Sequence, residues 1–104
     1  MYRIGEAEVT RIRKLIQSGR IFRYGQGGEG DQFEKDWATH VGSRYARMAR
    51  NGTSAIYTSL VGLGVGPGDQ VIVPAYTYMA TALAVVAAGA IPVIADVDES
   101  LTLS

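Results

Sequence analysis

A chain of 104 residues with 47% hydrophobic and 19% charged side chains can bury a single small core, which excludes a disordered segment and a two-domain chain. Ten basic and ten acidic side chains cancel, so no dominant pull toward nucleic acid is expected. With no cysteine there is neither a disulfide nor a thiolate metal site, and the single histidine, His40, cannot build a histidine cluster.

Glu6 to Ser18 places Val9, Ile12, Leu15 and Ile16 on one face, with acids first and Arg11, Arg13 and Lys14 later. That arrangement predicts an amphipathic helix matched to its dipole and ended by Gly19. Gly25-Gln26-Gly27-Gly28-Glu29-Gly30 matches the dinucleotide fingerprint G-x-G-x-x-G literally. The fingerprint needs a buried strand before it and an acid about twenty residues after it. Arg20 to Tyr24 is a poor buried strand and the later position falls near Arg50, so a mobile surface loop is the expected reading. Asp31-Gln32-Phe33-Glu34 has capping-box spacing, followed by Phe33, Trp37 and Val41 on one helix face and Gly42 as the stop. His40 in the last turn reads as a complement to the helix carboxyl end.

Tyr45-Ala46-Arg47-Met48-Ala49-Arg50-Asn51-Gly52-Thr53-Ser54-Ala55 reads as a short strand, a glycine turn and the first turn of a helix. A helix start leaves about four N–H groups without intrahelical partners and carries roughly half a positive charge, which favours a phosphate. Gly52 permits close approach, Thr53 and Ser54 add hydroxyls, and Arg50 stands just before the turn. Small polar residues at such a place also serve as plain caps. Thr53 to about Leu63 presents Ile56, Leu60 and Leu63, with Gly64 at the carboxyl end, and Gly66-Pro67-Gly68-Asp69 predicts a tight turn.

No residue from Val71 to Ala95 is charged, a length that could cross a bilayer of about 30 Å. Pro74, Gly89 and Pro92 divide it instead into soluble-length pieces, so no membrane span is expected. Val71-Ile72-Val73 reads as a strand covered on both faces, Thr77 to Ala88 as an alanine-rich helix, and Ile91 to Val97 as another buried strand. This is α/β wiring, in which ligands sit beyond the carboxyl ends of the strands. Two places follow: Pro74-Ala75-Tyr76-Thr77-Tyr78, where an aromatic ring either meets a planar ligand or packs, and Asp96-Val97-Asp98-Glu99, whose acids read most simply as turn residues. Asn51-Gly52-Thr53 spells a glycosylation sequon, but no basic-then-apolar secretory signal opens the chain, and the cytoplasm is the expected compartment.

The glycine turn, its spacing to Gly66 through Thr81, and the closing Gly89-Ala90-Ile91-Pro92-Val93 together resemble the DegT/DnrJ/EryC1/StrS sugar aminotransferases, from about Ile4 to Leu103. The resemblance implies the amino-terminal part of the large domain of a fold type I pyridoxal-phosphate-dependent transferase, with strands alternating with helices. Residues 1–43 would be amino-terminal helices and loop, and 44–104 the cofactor-binding portion. It implies that Gly52, Thr53 and Ser54 hold the phosphate of pyridoxal 5'-phosphate, that Tyr78 stacks on its ring, and that Arg23, Tyr24 and the glycine loop border the active site. It further implies glutamate or glutamine as amino donor, a keto or aldehyde sugar or cyclitol as acceptor, nucleotide-linked sugars included, and a homodimer when complete.

Arg47 and Asn51 depart from the family pattern, in which the first position is small or apolar and the second often serine. Family members are much longer, and their cofactor-binding aspartate and catalytic lysine lie past Ser104. The only lysines, Lys14 and Lys35, match neither, so no catalytic residue is expected within these residues and the chain reads as a truncated aminotransferase. A sheet with an exposed edge and uncovered apolar surface is then expected. Rival readings are a non-catalytic module that binds an anion or pairs with a full-length subunit, and a sugar dehydratase of the same family.

Overall fold

The periodic stretch after Gly5 is a helix, α1 (Glu6–Ser18), in the computed structural model, which describes residues 4–21 and 27–104. Gly5 N–H donates to Glu8 Oε2 at 2.7 Å, and Gly19 ends the helix with a positive φ of 68°. The apolar face forms as expected but stays unpacked, with Ile12 and Ile16 both exposed.

The second helix, α2 (Glu29–Val41), starts two residues before the expected capping box. Gly28 is its cap, and Asp31 reaches back from inside the first turn to accept the Gly27 N–H at 2.7 Å. The positive φ of Gly27, 84°, turns the chain early enough to make this possible, so Glu29 and Gly30 of the glycine-rich run are helical where a loop was expected, while Gly25 and Gln26 lie outside the described residues. Phe33 and Trp37 stack at 5.9 Å, Trp37 lies 5.5 Å from His40, and Gly42 ends the helix in the left-handed region.

Tyr45 to Ala49 was expected to be a strand, yet it joins no sheet. A strand exists only where a ladder partner stands beside it, and the two-stranded sheet lies elsewhere. The misfit of Arg47 is thereby removed. Its side chain is 79% exposed, and Nη1 donates to Glu34 Oε2 at 2.9 Å. Glu34 is the buried partner, so the carboxylate rather than the guanidinium bears the desolvation cost.

The chain divides into two units, Met1–Arg47 and Met48–Ser104. The apolar core anticipated from chain length lies within the second: Val73 and Val85 at 1% exposure and Ala90, with Leu60, Val65, Val71 and Ala82 packed against them. This unit runs α3 (Gly52–Gly62), β1 (Gln70–Pro74), α4 (Ala80–Ala87) and β2 (Ile91–Ala95). β1 and β2 pair in parallel from Gln70↔Ile91 to Pro74↔Ala95. Parallel neighbours cannot be joined by a hairpin, and α4 is the crossover.

Both helices that build the core end in the same way. Gly64 N–H bonds to Val61 O and Val65 N–H to Leu60 O; Gly89 N–H bonds to Val86 O and Ala90 N–H to Val85 O. In each case a left-handed glycine satisfies the last carbonyls and turns the following apolar residue back onto the core. That geometry explains why Val65 packs while Leu63, expected on the apolar face, is 81% exposed. The Gly66–Asp69 turn closes with Asp69 N–H on Gly66 O at 3.1 Å, and Asp69 Oδ2 accepts the Gly66 N–H at 2.8 Å.

α4 begins at Ala80, three residues later than expected, because Pro74 to Tyr78 is spent bending the chain from β1 into the helix. The expectation that β1 is covered on both faces holds for one face. Val73 is buried beneath the helices while Ile72, on the other face, is 64% exposed, and Ile91 is exposed as well. Uncovered apolar sheet surface, also expected, is therefore present.

A Cβ on Gly89 would stand 3.3 Å from Pro67 Cγ, in a backbone with φ of 80°. Gly89→Ala is expected to cost about 1–2 kcal/mol, read as a lower urea midpoint. Gly62→Ala, where no atom stands within 4 Å, should be neutral or stabilising by up to about 0.5 kcal/mol.

Candidate functional site

Parallel pairing sends the carboxyl ends of β1 and β2 to one edge of the sheet, and Ala75 N–H continues the ladder onto Ala95 O at 2.8 Å. Beyond that edge lie Tyr76 and Tyr78 on one connection and Asp96 to Glu99 on the other. Tyr78 is 83% exposed, and its carbonyl accepts the Thr81 N–H at 3.0 Å as α4 begins. Its ring is thus held by a turn and not by packing.

Of the acids after β2, Asp98 does turn work. Asp98 Oδ1 accepts both the N–H of Ser100, at 2.8 Å, and its hydroxyl, while Asp98 N–H bonds to Thr102 O and Val97 bridges to Leu103. The two Ser100 bonds, hydroxyl first, hold the Asp98 carboxyl below the usual aspartate range.

At the start of α3 the expected turn is present with a division of labour that sequence alone did not reveal. Asn51 is the cap, in extended backbone, and its Oδ1 accepts the Ser54 N–H at 2.8 Å. Asn51 O accepts the Ala55 N–H, the first intrahelical bond. The amides of Gly52 and Thr53 have no intrahelical acceptor. Both residues are exposed, Ser54 is half-buried, and no atom stands within 4 Å of where a Gly52 Cβ would be. Two outward amides and two adjacent hydroxyls, at the positive end of an 11-residue helix with no acid in its first turn, form a donor set suited to a phosphate.

Gly52, Thr53 and Ser54 are therefore brought together by one helix start, and Tyr78 belongs to the same unit, beyond the carboxyl edge of the sheet. Arg23 and Tyr24 lie outside the described residues. The capping role of Asn51 and the pairing of Glu34 with Arg47 were not anticipated from the sequence. The spacing Asn-x-x-Ser before an apolar helix was the signal for the first, and the charge of Arg47 for the second. A hollow of about 420 Å³ lined by Lys14, Ser18, Arg20 and Glu29, with Gly27 and Gly28 of the glycine loop, contains none of Gly52, Thr53, Ser54 and Tyr78. Among the described residues no acid or histidine cluster could hold a metal ion, and no helix is long and apolar enough to cross a membrane.

A parallel β-α-β unit preceded by a helix has the wiring of the amino-terminal part of the large domain of a fold type I pyridoxal-phosphate-dependent transferase. The model of the DegT/DnrJ/EryC1/StrS aminotransferase family matches residues 2–104, and the chain belongs to that family. It is 36% identical over 97 residues to the spore coat polysaccharide biosynthesis protein SpsC of Bacillus subtilis, covering 93% of this chain and 24% of SpsC. It is 44% identical over 94 residues to the UDP-2-acetamido-2-deoxy-3-oxo-D-glucuronate aminotransferase of Pseudomonas aeruginosa, covering 86% of this chain and 26% of that protein. A solved aminotransferase from Psychrobacter cryohalolentis superposes with a TM-score of 0.87 at 36% identity, over 93% of this chain and 24% of that one. The chain thus spans about a quarter of the length of the curated relatives it matches. The family's cofactor is pyridoxal phosphate, and solved relatives carry it or its pyridoxamine form.

Because the folded Asp98 carboxyl titrates below its unfolded value, its turn bonds are fully present above the ordinary aspartate range and are lost as pH falls through the lower, folded value. The Ser100 amide resonance is expected to follow that titration in NMR and to become insensitive to pH in Asp98→Asn.

Proposed function

We propose that this chain works as part of a cytoplasmic, homodimeric, pyridoxal-phosphate-dependent aminotransferase. The enzyme moves an amino group from glutamate or glutamine to a ketone or aldehyde on a sugar or cyclitol, nucleotide-linked sugars included, in amino-sugar, polysaccharide or antibiotic biosynthesis. Family membership and the names of the relatives support the reaction class. The observation that carries the reading for these residues is the α3 start, where the Gly52 and Thr53 amides face outward beside two hydroxyls.

In this reading Gly52 and Thr53 N–H groups donate to the cofactor phosphate, the Thr53 and Ser54 hydroxyls add neutral donors, and the Tyr78 ring lies against the pyridine. Bound pyridoxal phosphate supplies the electron sink. The protein's part is to fix the phosphate and the ring plane. Both lysines are exposed on α1 and α2, and neither is the amine that pairs with the cofactor; the 104 residues by themselves do not transaminate.

A second reading, a subunit-pairing module without catalysis, draws on the open sheet face around Ile72. Co-purification with an intact aminotransferase subunit, together with no affinity for the cofactor, favours it.

In the holoenzyme, Thr53→Val keeps the side-chain shape and removes one hydroxyl donor to a charged ligand. The dissociation constant for pyridoxal phosphate, followed by absorbance titration, is expected to rise by about tenfold. Thr53→Ser should restore most of the affinity, and Tyr78→Phe should retain what Tyr78→Ala loses. Unchanged affinity in both Thr53→Val and Tyr78→Ala would refute the assignment.

A further inference from the structure

The cap at α3 is a choice between residues that the helix itself scarcely distinguishes. Asn, Asp and Ser are nearly equivalent as helix caps, and an aspartate gains further from the dipole. The first turns of α1 and α2 each carry two carboxylates, Glu6 and Glu8 in one and Glu29 and Asp31 in the other; α3 carries none and is capped by a neutral carboxamide. Oδ1 of that carboxamide occupies the Ser54 N–H at 2.8 Å, which removes the third amide of the turn from any ligand. What remains outward is the pair of N–H groups on Gly52 and Thr53.

We infer that Asn51 is a positioning residue whose neutral carboxamide sets the α3 start for a phosphate dianion, fixing the Gly52 and Thr53 amides without adding a negative charge beside the ligand. This rests on the proposed phosphate site. It assigns Ser54 a hydroxyl contribution only, its amide being committed to the cap. A carboxylate at position 51 would cap the helix equally well and repel the phosphate across the same turn, a repulsion weakened by salt.

The test separates capping from charge. The full protein is purified without added cofactor and titrated with pyridoxal phosphate at low and high salt, alongside thermal unfolding. Asn51→Asp is expected to melt at or above the wild-type midpoint, yet to bind at least about tenfold more weakly, with the deficit shrinking as salt rises. Asn51→Ser, a neutral cap, is expected to bind within about threefold of wild type. Wild-type affinity in Asn51→Asp would overturn the inference. So would tighter binding in Asn51→Ala, because the carboxamide would then be a competitor of the phosphate. If Thr53→Val is also without effect, the phosphate site itself is misplaced; if Thr53→Val weakens binding while Asn51→Asp does not, only the role of Asn51 falls.

Discussion

The parallel pairing of β1 with β2 is the constraint on which the rest of the second unit depends. Two five-residue strands running the same way require a crossover, and an alanine-rich, uncharged α4 is what the chain places there. Once α4 crosses, Val85 must meet Val73, the strand ends must share an edge, and the connections after both strands must open on the same side. Gly89 and Pro67 meet at the other end of the unit, where a side chain on the glycine would press on the proline ring. The rigid part of the unit is thus far from elaborate: one buried valine pair, two left-handed glycines, and one proline turn.

The candidate site lies at the ends of these elements. The start of α3 offers donors because a helix cannot satisfy its own first amides, and Asn51 decides which of them stay available. Tyr78 stands free because the chain between Pro74 and Ala80 turns instead of packing. Among the acids after β2, by contrast, Asp98 is consumed by its own turn, accepting twice from Ser100.

Helices α1 and α3, and the carboxyl ends of all four helices, were legible in the sequence, since period and glycine placement act over a few residues. The misses came where a distant partner decides. Tyr45 to Ala49 has strand composition but no ladder, Val71 to Val73 has the composition of a doubly covered strand but one covered face, and Leu63 has helical phase but falls at a turn that sends Val65 inward in its place. α2 began early because Asp31 capped backward, a choice that the pattern Asp-x-x-Glu could not reveal. Within the candidate site, the helix start that gathers Gly52, Thr53 and Ser54 was readable as local chemistry. The commitment of the Ser54 amide to Asn51 was not, because a cap and a ligand compete for the same donors and a sequence records both as small polar residues.

We propose that the α3 start holds the cofactor phosphate, and a crystal structure of the protein with pyridoxal phosphate bound tests this most directly. Phosphate oxygens are expected within hydrogen-bond distance of the Gly52 and Thr53 amides, with Asn51 still bonded to Ser54. A phosphate bound elsewhere, with those two amides facing only water, would contradict it.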